Sequence, residues 1–499
     1  MNRALRALAL VCVFFGFHLL TGFAAAQQQE EKSNMELVGF NDLDGRNGYQ
    51  LSILRQGNRW IAYVTSQAGK TPQLNSVTGR LEPNGTSVID VTDPRHPKYI
   101  ANIPGELIPD EGGADFVRAC SGAQLPHGDK NKSYLLRNYG QLSEQMWDVT
   151  DPARPTLLNV IVNYDDRAHD IHKNWWECES GIAYFVAGPL DWPKPPTGAG
   201  FHHDAGEHVL IYDLSNPEKP VFVRTFGLPG QEPGSAVPPP VGGLHGVLST
   251  GPKGNRVYFS NSNDGDGVVE IVDREKLLNG PKDPTDDNLR YPVVGKLEFP
   301  PDVGAEMTFP LPQMQLPEFA NQKEGSTKDF LAVMGEGHFM GCLENRQIFR
   351  MFDVTTESRP VGVSAWTVPE ASGDFCSRGG SFGTHSSNEN FTPVFFRRVL
   401  FVTYFNAGIR ALDVRDPYHP KEIGYYIPAI TEKTRPSCWK EGGEQKCKSV
   451  IQTDNVEVDD RGYIYIVDRA NTGLHILELT GSAREAADFS KAMASPAGR

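Results

Sequence analysis

The chain has 499 residues, with 62 acidic against 48 basic side chains and a formal charge of −14. That excess of negative charge makes nucleic acid and anionic lipid surfaces poor partners. Length alone would suggest about three domains of roughly 150 residues each, an expectation that the repeats below overrule.

The chain opens with Met1-Asn2-Arg3 and Arg6, an apolar run over residues 7–23 and the small residues Ala24-Ala25-Ala26. This order of basic, apolar and small residues is that of a secretory signal, with cleavage expected after Ala26. Its removal takes Arg3 and Arg6 away and moves the charge to −16. The run is short for a membrane span of about 20 residues, and no later segment is apolar enough to cross a bilayer. The expected destination is the periplasm or the exterior. Cys12 leaves with the signal, while Cys120, Cys178, Cys342, Cys376, Cys438 and Cys447 enter an oxidising compartment as an even set, which suggests disulfides. Cys438 and Cys447 bracket a short polar loop and form the expected pair; the pairing of the other four stays open.

From residue 88 onward one phrase recurs. It reads Val88-Ile89-Asp90-Val91-Thr92-Asp93-Pro94, then Met146-Trp147-Asp148-Val149-Thr150-Asp151-Pro152, then Ile211-Tyr212-Asp213-Leu214-Ser215-Asn216-Pro217. Two later copies stand around Asp353 and Asp413, and weaker ones end at Asp273 and Glu478. The steps between marker acids are 58, 65, 60, 80, 60 and 65 residues, giving seven copies, one with an insertion. An apolar strand ends, Asp or Asn turns the backbone through its side chain, and Pro fixes φ before the next strand. About sixty residues suit a four-stranded sheet with loops, and a ring of such sheets protects its edges. The expected fold is therefore all-β, a single seven-bladed propeller over residues 35–479. Met35-Glu36-Leu37-Val38-Gly39-Phe40 reads as the outer strand that the last copy, ending at Leu479, lacks. Pairing of the N- and C-terminal strands would close the ring. Residues 482–499, rich in Ala and small polar residues, read as a frayed helix or a tail.

These Asp-Val-Thr-Asp-Pro phrases resemble the LVIVD-repeat family, exported bacterial β-propellers, over residues 35–479; the resemblance implies the fold and little about activity. The piece Ala168-His169-Asp170-Ile171-His172, followed by Cys178, Gly181 and a strand, is similar to part of the selenium-binding protein and methanethiol oxidase family. That likeness implies a propeller with histidine-bound copper and thiol oxidation. The chain departs from that family elsewhere, having no alignable cysteine-rich segment near an early histidine pair.

The first strand of each blade lines the channel, so residues recurring at blade starts should converge. His127, His172, His245 and His385 recur there, and His245 and His385 each precede their marker acid by 28 residues. Glu306 in the fifth copy and Asp454 in the seventh add carboxylates. Imidazoles and a carboxylate meeting on one axis suit a transition metal such as copper, zinc or iron; the alternative is a set of histidines bonded to backbone and water. A second cluster, His202, His203 and His208 in a loop, together with His169, His338 and Arg378, supplies candidates for a further ligand or substrate site, with Arg378 suited to an anion. The stretch from Asn261 to Gly267 is dense in oxygen ligands but lacks the terminal Glu of an EF-hand loop and reads as an Asx turn. No Walker A sequence, Rossmann glycine fingerprint or nucleophile elbow occurs. Two functions remain from different classes: a metal-dependent oxidoreductase acting on a small molecule in the channel, and a non-enzymatic scaffold whose loops hold a protein or polysaccharide.

Overall fold

Each copy of the repeated phrase ends the third strand of a four-stranded antiparallel sheet in the computed structural model, which describes residues 29–67, 71–107, 112–163, 168–192, 208–237, 242–262, 265–338 and 342–493. The marker acid caps the strand end with its own side chain. Asp90 Oδ1 accepts the Thr92 N–H at 3.0 Å, and Asp148, Asp213 and Asp353 accept from Thr150, Ser215 and Thr355 at 2.9, 2.8 and 2.9 Å. The second acid of the phrase repeats the device: Asp93, Asp151, Asn216 and Asp416 accept from Arg95, Ala153, Glu218 and Tyr418 at 3.0 to 3.1 Å. The threonine hydroxyl between them accepts from the start of the second strand, as from Trp60 to Thr92 at 3.0 Å and from Ser133 to Thr150 at 3.1 Å. One short phrase thus turns the chain twice and ties the turn to its own sheet.

Seven such sheets stand around an axis. Blade 1 is Leu51–Gln56, Arg59–Thr65, Gly85–Asp90 and Lys98–Pro104; blade 2 is Val117–Ser121, Ser133–Tyr139, Ser143–Asp148 and Thr156–Asn163. Blade 3 runs from Asn174–Trp176 through Ile182–Pro189 and His208–Asp213 to Val221–Phe226, with Ala168–His169 as an added short strand. Blades 4 and 5 span Leu244–Ser249 to Val293–Glu298 and Met307–Gln315 to Val361–Trp366. Blade 6 has Val399–Thr403, Ile409–Asp413 and Lys421–Ile427; its inner edge is an irregular run in which Thr403 N donates to Ser386 O at 2.9 Å, and Glu31–Ser33 adds an outer strand. Blade 7 is Thr453–Val458, Ile464–Asp468 and Leu474–Leu479, completed by Met35–Asn41.

That last pairing closes the ring as the sequence implies, with Met35 opposite Leu479 and Asn41 opposite Leu474. The register shifts between Leu37 and Gly39, and a Cβ on Gly39 would collide with the Pro94 carbonyl of blade 1, so only glycine lets the closing strand lie against its neighbour's turn. Because every blade lies between two others, central strands are buried on both faces, and runs such as Ile61-Ala62-Tyr63-Val64 are wholly apolar rather than alternating. At the chain's end, Gly481–Ala486 forms a helix whose Ala483 and Ala486 pack with Met35 and Phe395, so this part of the C-terminal segment is docked rather than frayed. The signal-like residues 1–28 lie outside the described residues. Among the described residues no helix is long and apolar enough to cross a membrane.

The closure carries a pH signature. His475 lies buried between Phe40, at a ring distance of 4.9 Å, and Tyr426, at 6.0 Å, and burial pushes its imidazole down to about 4. Between that value and the usual one near 6.5 the unfolded chain binds a proton that the folded chain refuses, so stability falls as pH drops through this window. The loss from this group is on the order of 3 kcal/mol. Urea melts at pH 7 and pH 4 are expected to differ by less, by about that amount, in a His475→Gln chain; an unchanged acid limb would refute the assignment.

Candidate metal centre

Each blade presents one side chain to the channel where its inner edge begins, either in the inner strand or within two residues before it, and in blade 6 from the irregular inner run. In blade order these are Tyr49, Asp115, His172, His245, Glu306, His385 and Asp454, all buried. From Asp115 to Asp454 each meets the next around the axis. His172 Nδ1 lies 3.4 Å from Asp115 Oδ2, and its Nε2 lies 3.2 Å from His245 Nε2. His245 Nδ1 pairs closely with Glu306 Oε2, His385 Nε2 is 3.9 Å from Glu306 Oε1, and His385 Nδ1 donates to Asp454 O at 2.7 Å. Several inner strands begin at a β-bulge, as between Leu244 and Gly246 and between Thr453 and Val456, which lets His245 and Asp454 occupy the ring.

Loops leaving the second strands cover this ring from one end. Glu336, two residues past Thr327–Met334, brings Oε1 to 3.6 Å from His385 Nε2, and Oε2 to 2.8 Å from His338 Nε2. Arg469, just past Ile464–Asp468, donates to Glu336 Oε1 and to His385 Nε2, both at 3.1 Å, pairs with Asp454, and lies over the Tyr49 ring at 5.0 Å. Beneath the ring, Lys173 Nζ lies 3.4 Å from Glu306 Oε1 and 3.5 Å from Glu389 Oε1, and Glu389 is held by Arg118 and by Gln50 Nε2 at 3.0 Å.

His245, Glu306 and Glu336 form a group whose ligand atoms all lie within 4.8 Å of one another. One imidazole nitrogen and two carboxylates make a donor set suited to zinc, iron or copper(II). Thiolate ligation is out of reach beyond residue 28, since Cys120–Cys178, Cys342–Cys376 and Cys438–Cys447 are all disulfides. His385 is engaged otherwise, its Nδ1 proton on a backbone carbonyl and its Nε2 lone pair taken by Arg469.

The electrostatics leave room for a cation. Burial pushes the His385 imidazole down to about 4 and holds His172 well below its usual range, so both are neutral near pH 7. Burial raises the Glu306 carboxyl even though Lys173 pulls it back, and raises Asp454 well above the ordinary range against the pull of Arg469. Burial also works to raise Glu336, but His338, His385 and Arg469 outweigh it and hold that carboxylate ionised. The ion pairs named here join four carboxylates (Glu306, Glu336, Glu389 and Asp454) to three permanent cations, Arg118, Lys173 and Arg469, while Asp115 lies against His172. A bound cation would favour the ionised forms of Glu306 and Asp454, which burial disfavours.

Of the sequence candidates, His172, His245, His385, Glu306 and Asp454 share the ring, and His338 stands above it. His127 does not: it is exposed in the turn after Val117–Ser121, where its N–H donates to Ser215 O at 3.0 Å, and Asp115 takes the blade 2 position. His127 lies only 21 residues before Asp148, against the 28 of His245 and His385, which places it past the inner strand. Arg378 pairs with Glu31 at 2.7 Å and lies over the Phe375 ring at 4.5 Å, so it fastens the added outer strand of blade 6 instead of facing an anion. His208 is buried in blade 3 against Trp192, with ring centroids 4.7 Å apart. His202 and His203 and the side chain of His169 lie outside the described residues. Glu336 and Arg469 escape a search confined to blade starts, and Lys173 escapes one confined to metal-ligating residue types; the run Gly335-Glu336-Gly337-His338 directly after an apolar strand is the signal that points to the covering loops.

Fold and site together define a seven-bladed β-propeller with a buried His/Glu/Glu group on its axis that can hold a metal ion. No family model matches the chain, and no curated protein matches it. Among solved structures it is similar to the Dos1 propeller, with a TM-score of 0.46 and 9% identity over 90% of this chain and 96% of that one. It is also similar to a protein from Lactobacillus plantarum, with a TM-score of 0.44 and 10% identity over 77% of this chain and 86% of that one.

Proposed function

We propose that the chain is an exported metalloenzyme, an oxidoreductase that uses one transition metal at His245, Glu306 and Glu336 on a small molecule. The observation that carries this reading is the position of Glu336: it belongs to the buried metal-binding group and also lines a cavity of about 320 Å³ together with His338 and Arg469. A small molecule in that cavity would meet a ligand of the metal directly. A bound iron or copper would supply electron transfer and Lewis acidity there. The protein's own part is to keep His172 and His385 neutral, to hold Glu336 ionised, and to place His338 Nε2 2.8 Å from Glu336 beside the cavity. Three disulfides accord with an oxidising compartment.

Elemental analysis of the protein purified without chelator is expected to find one transition metal per chain, absent from a chain carrying His245→Ala and His385→Ala. No stoichiometric metal after reconstitution with iron, copper and zinc would overturn the reading and leave the propeller as a binding scaffold.

A further inference from the structure

The cavity above the metal-binding group has a charge that the centre does not use. Arg469 is neutralised within the protein by Glu336 and Asp454, and Glu336 is further engaged by His338. Arg435, which also lines the cavity, is exposed and makes no ion pair among the described residues. Its backbone is nonetheless fixed. Arg435 N donates to Ala470 O at 2.9 Å, Thr434 N donates to Thr431 O at 3.0 Å, Pro436 follows directly, and the Cys438–Cys447 disulfide ties the hairpin that begins there. The held backbone fixes where this guanidinium is rooted, so only its own side-chain torsions remain to be ordered on binding a ligand. Around it, Pro436 and Ala470 contribute apolar wall and Gln452 an amide.

We infer that this cavity takes a small monoanionic organic acid, its carboxylate paired with Arg435 and its body lying over Pro436 and Ala470 toward Glu336. The inference rests on the metalloenzyme reading for which end of the acid reacts, but not for how the acid is held. A planar carboxylate matches the guanidinium fork with two parallel hydrogen bonds, whereas an amide of the same shape lacks the charge and offers one acceptor in its place. A dianion would meet Glu336 with its second charge, and an organic cation would meet Arg435, so both are disfavoured.

The test uses the full chain, with benzoate and benzamide as probes and calorimetric titration as the readout, in the presence of added metal and after chelation. Benzoate is expected to bind at least about tenfold more tightly than benzamide, and Arg435→Gln to abolish that preference while Arg435→Lys restores part of it. Because Arg435 is exposed, unchanged thermal melting will certify the fold of both variants. Equal binding of the two probes, or a preference that survives Arg435→Gln, overturns the inference even if the chain holds metal. An Arg435-dependent preference in a chain that takes up no metal keeps the acid site and overturns the metalloenzyme reading instead.

Discussion

A chain with Glu306→Gln is expected to hold metal at least about 100-fold more weakly than the unaltered chain and, in the presence of chelator, to melt at a higher temperature. Both results follow from the same position. Glu306 is fully buried, packed against His245 Nδ1, and its carboxyl is pushed upward by burial and by the negative charge of Glu336. The fold therefore bears the cost of a buried carboxylate that only a cation fully repays. Gln has the same shape and can still accept from Lys173, but it carries no charge, so the metal-free ring is relieved while the metal loses an anionic donor. Changing groups that merely support a metal's ligands costs about 10- to 100-fold in affinity, and removing a direct donor should meet or exceed that range. Competition against a chromophoric chelator gives the affinity, and calorimetric melting with and without chelator gives the stability. Equal affinities for the two chains would move the ion away from Glu306; a lower melting temperature without metal would mean that Lys173 depends on that charge.

The fold was legible because its signal is local and repeated. Asp90, Asp148, Asp213, Asp353 and Asp413 mark strand ends through bonds made within two residues, which no distant part of the chain can alter. The closing strand could be read for a related reason, since a last copy lacking its outer strand leaves one vacancy and Met35–Asn41 fills it. The site was legible only where it follows the repeat. His245 and His385 keep the same spacing to their marker acids and reach the ring, whereas His127, with a different loop length, falls in a turn. Glu336 and Arg469 come from loops above the channel, and Lys173 and Glu389 from one level below it. Their convergence depends on how seven blades meet, over sequence separations such as the 133 residues from Lys173 to Glu306, and no local pattern encodes that.

The ring also depends on how each blade is locked to the next, and here the largest stability change is expected. Glu177, at the end of the inner strand of blade 3, accepts from Arg274 Nε at 3.0 Å and Nη2 at 2.7 Å, from Tyr184 Oη at 2.9 Å and from Ser249 Oγ at 2.5 Å. Arg274 and Ser249 belong to blade 4, and these partners are all buried; the half-buried Ser180 also donates its hydroxyl to Glu177. Glu177→Ala leaves the guanidinium without its counter-ion in a closed space, which costs about 3–5 kcal/mol. Urea unfolding should show that loss as a lowered midpoint. His172 lies five residues before Glu177, and its contact with His245 at 3.2 Å spans the same two blades, so metal affinity should fall with stability. Replacing the pair together, as Glu177→Leu with Arg274→Met, separates the two effects: apolar packing restores most of the stability, while the directional bonds that set one blade's register against the other stay lost. If the double variant also regains full metal affinity, apolar packing alone aligns the ring and the ion pair serves only stability. If it regains stability without affinity, the buried pair is what places His172 beside His245.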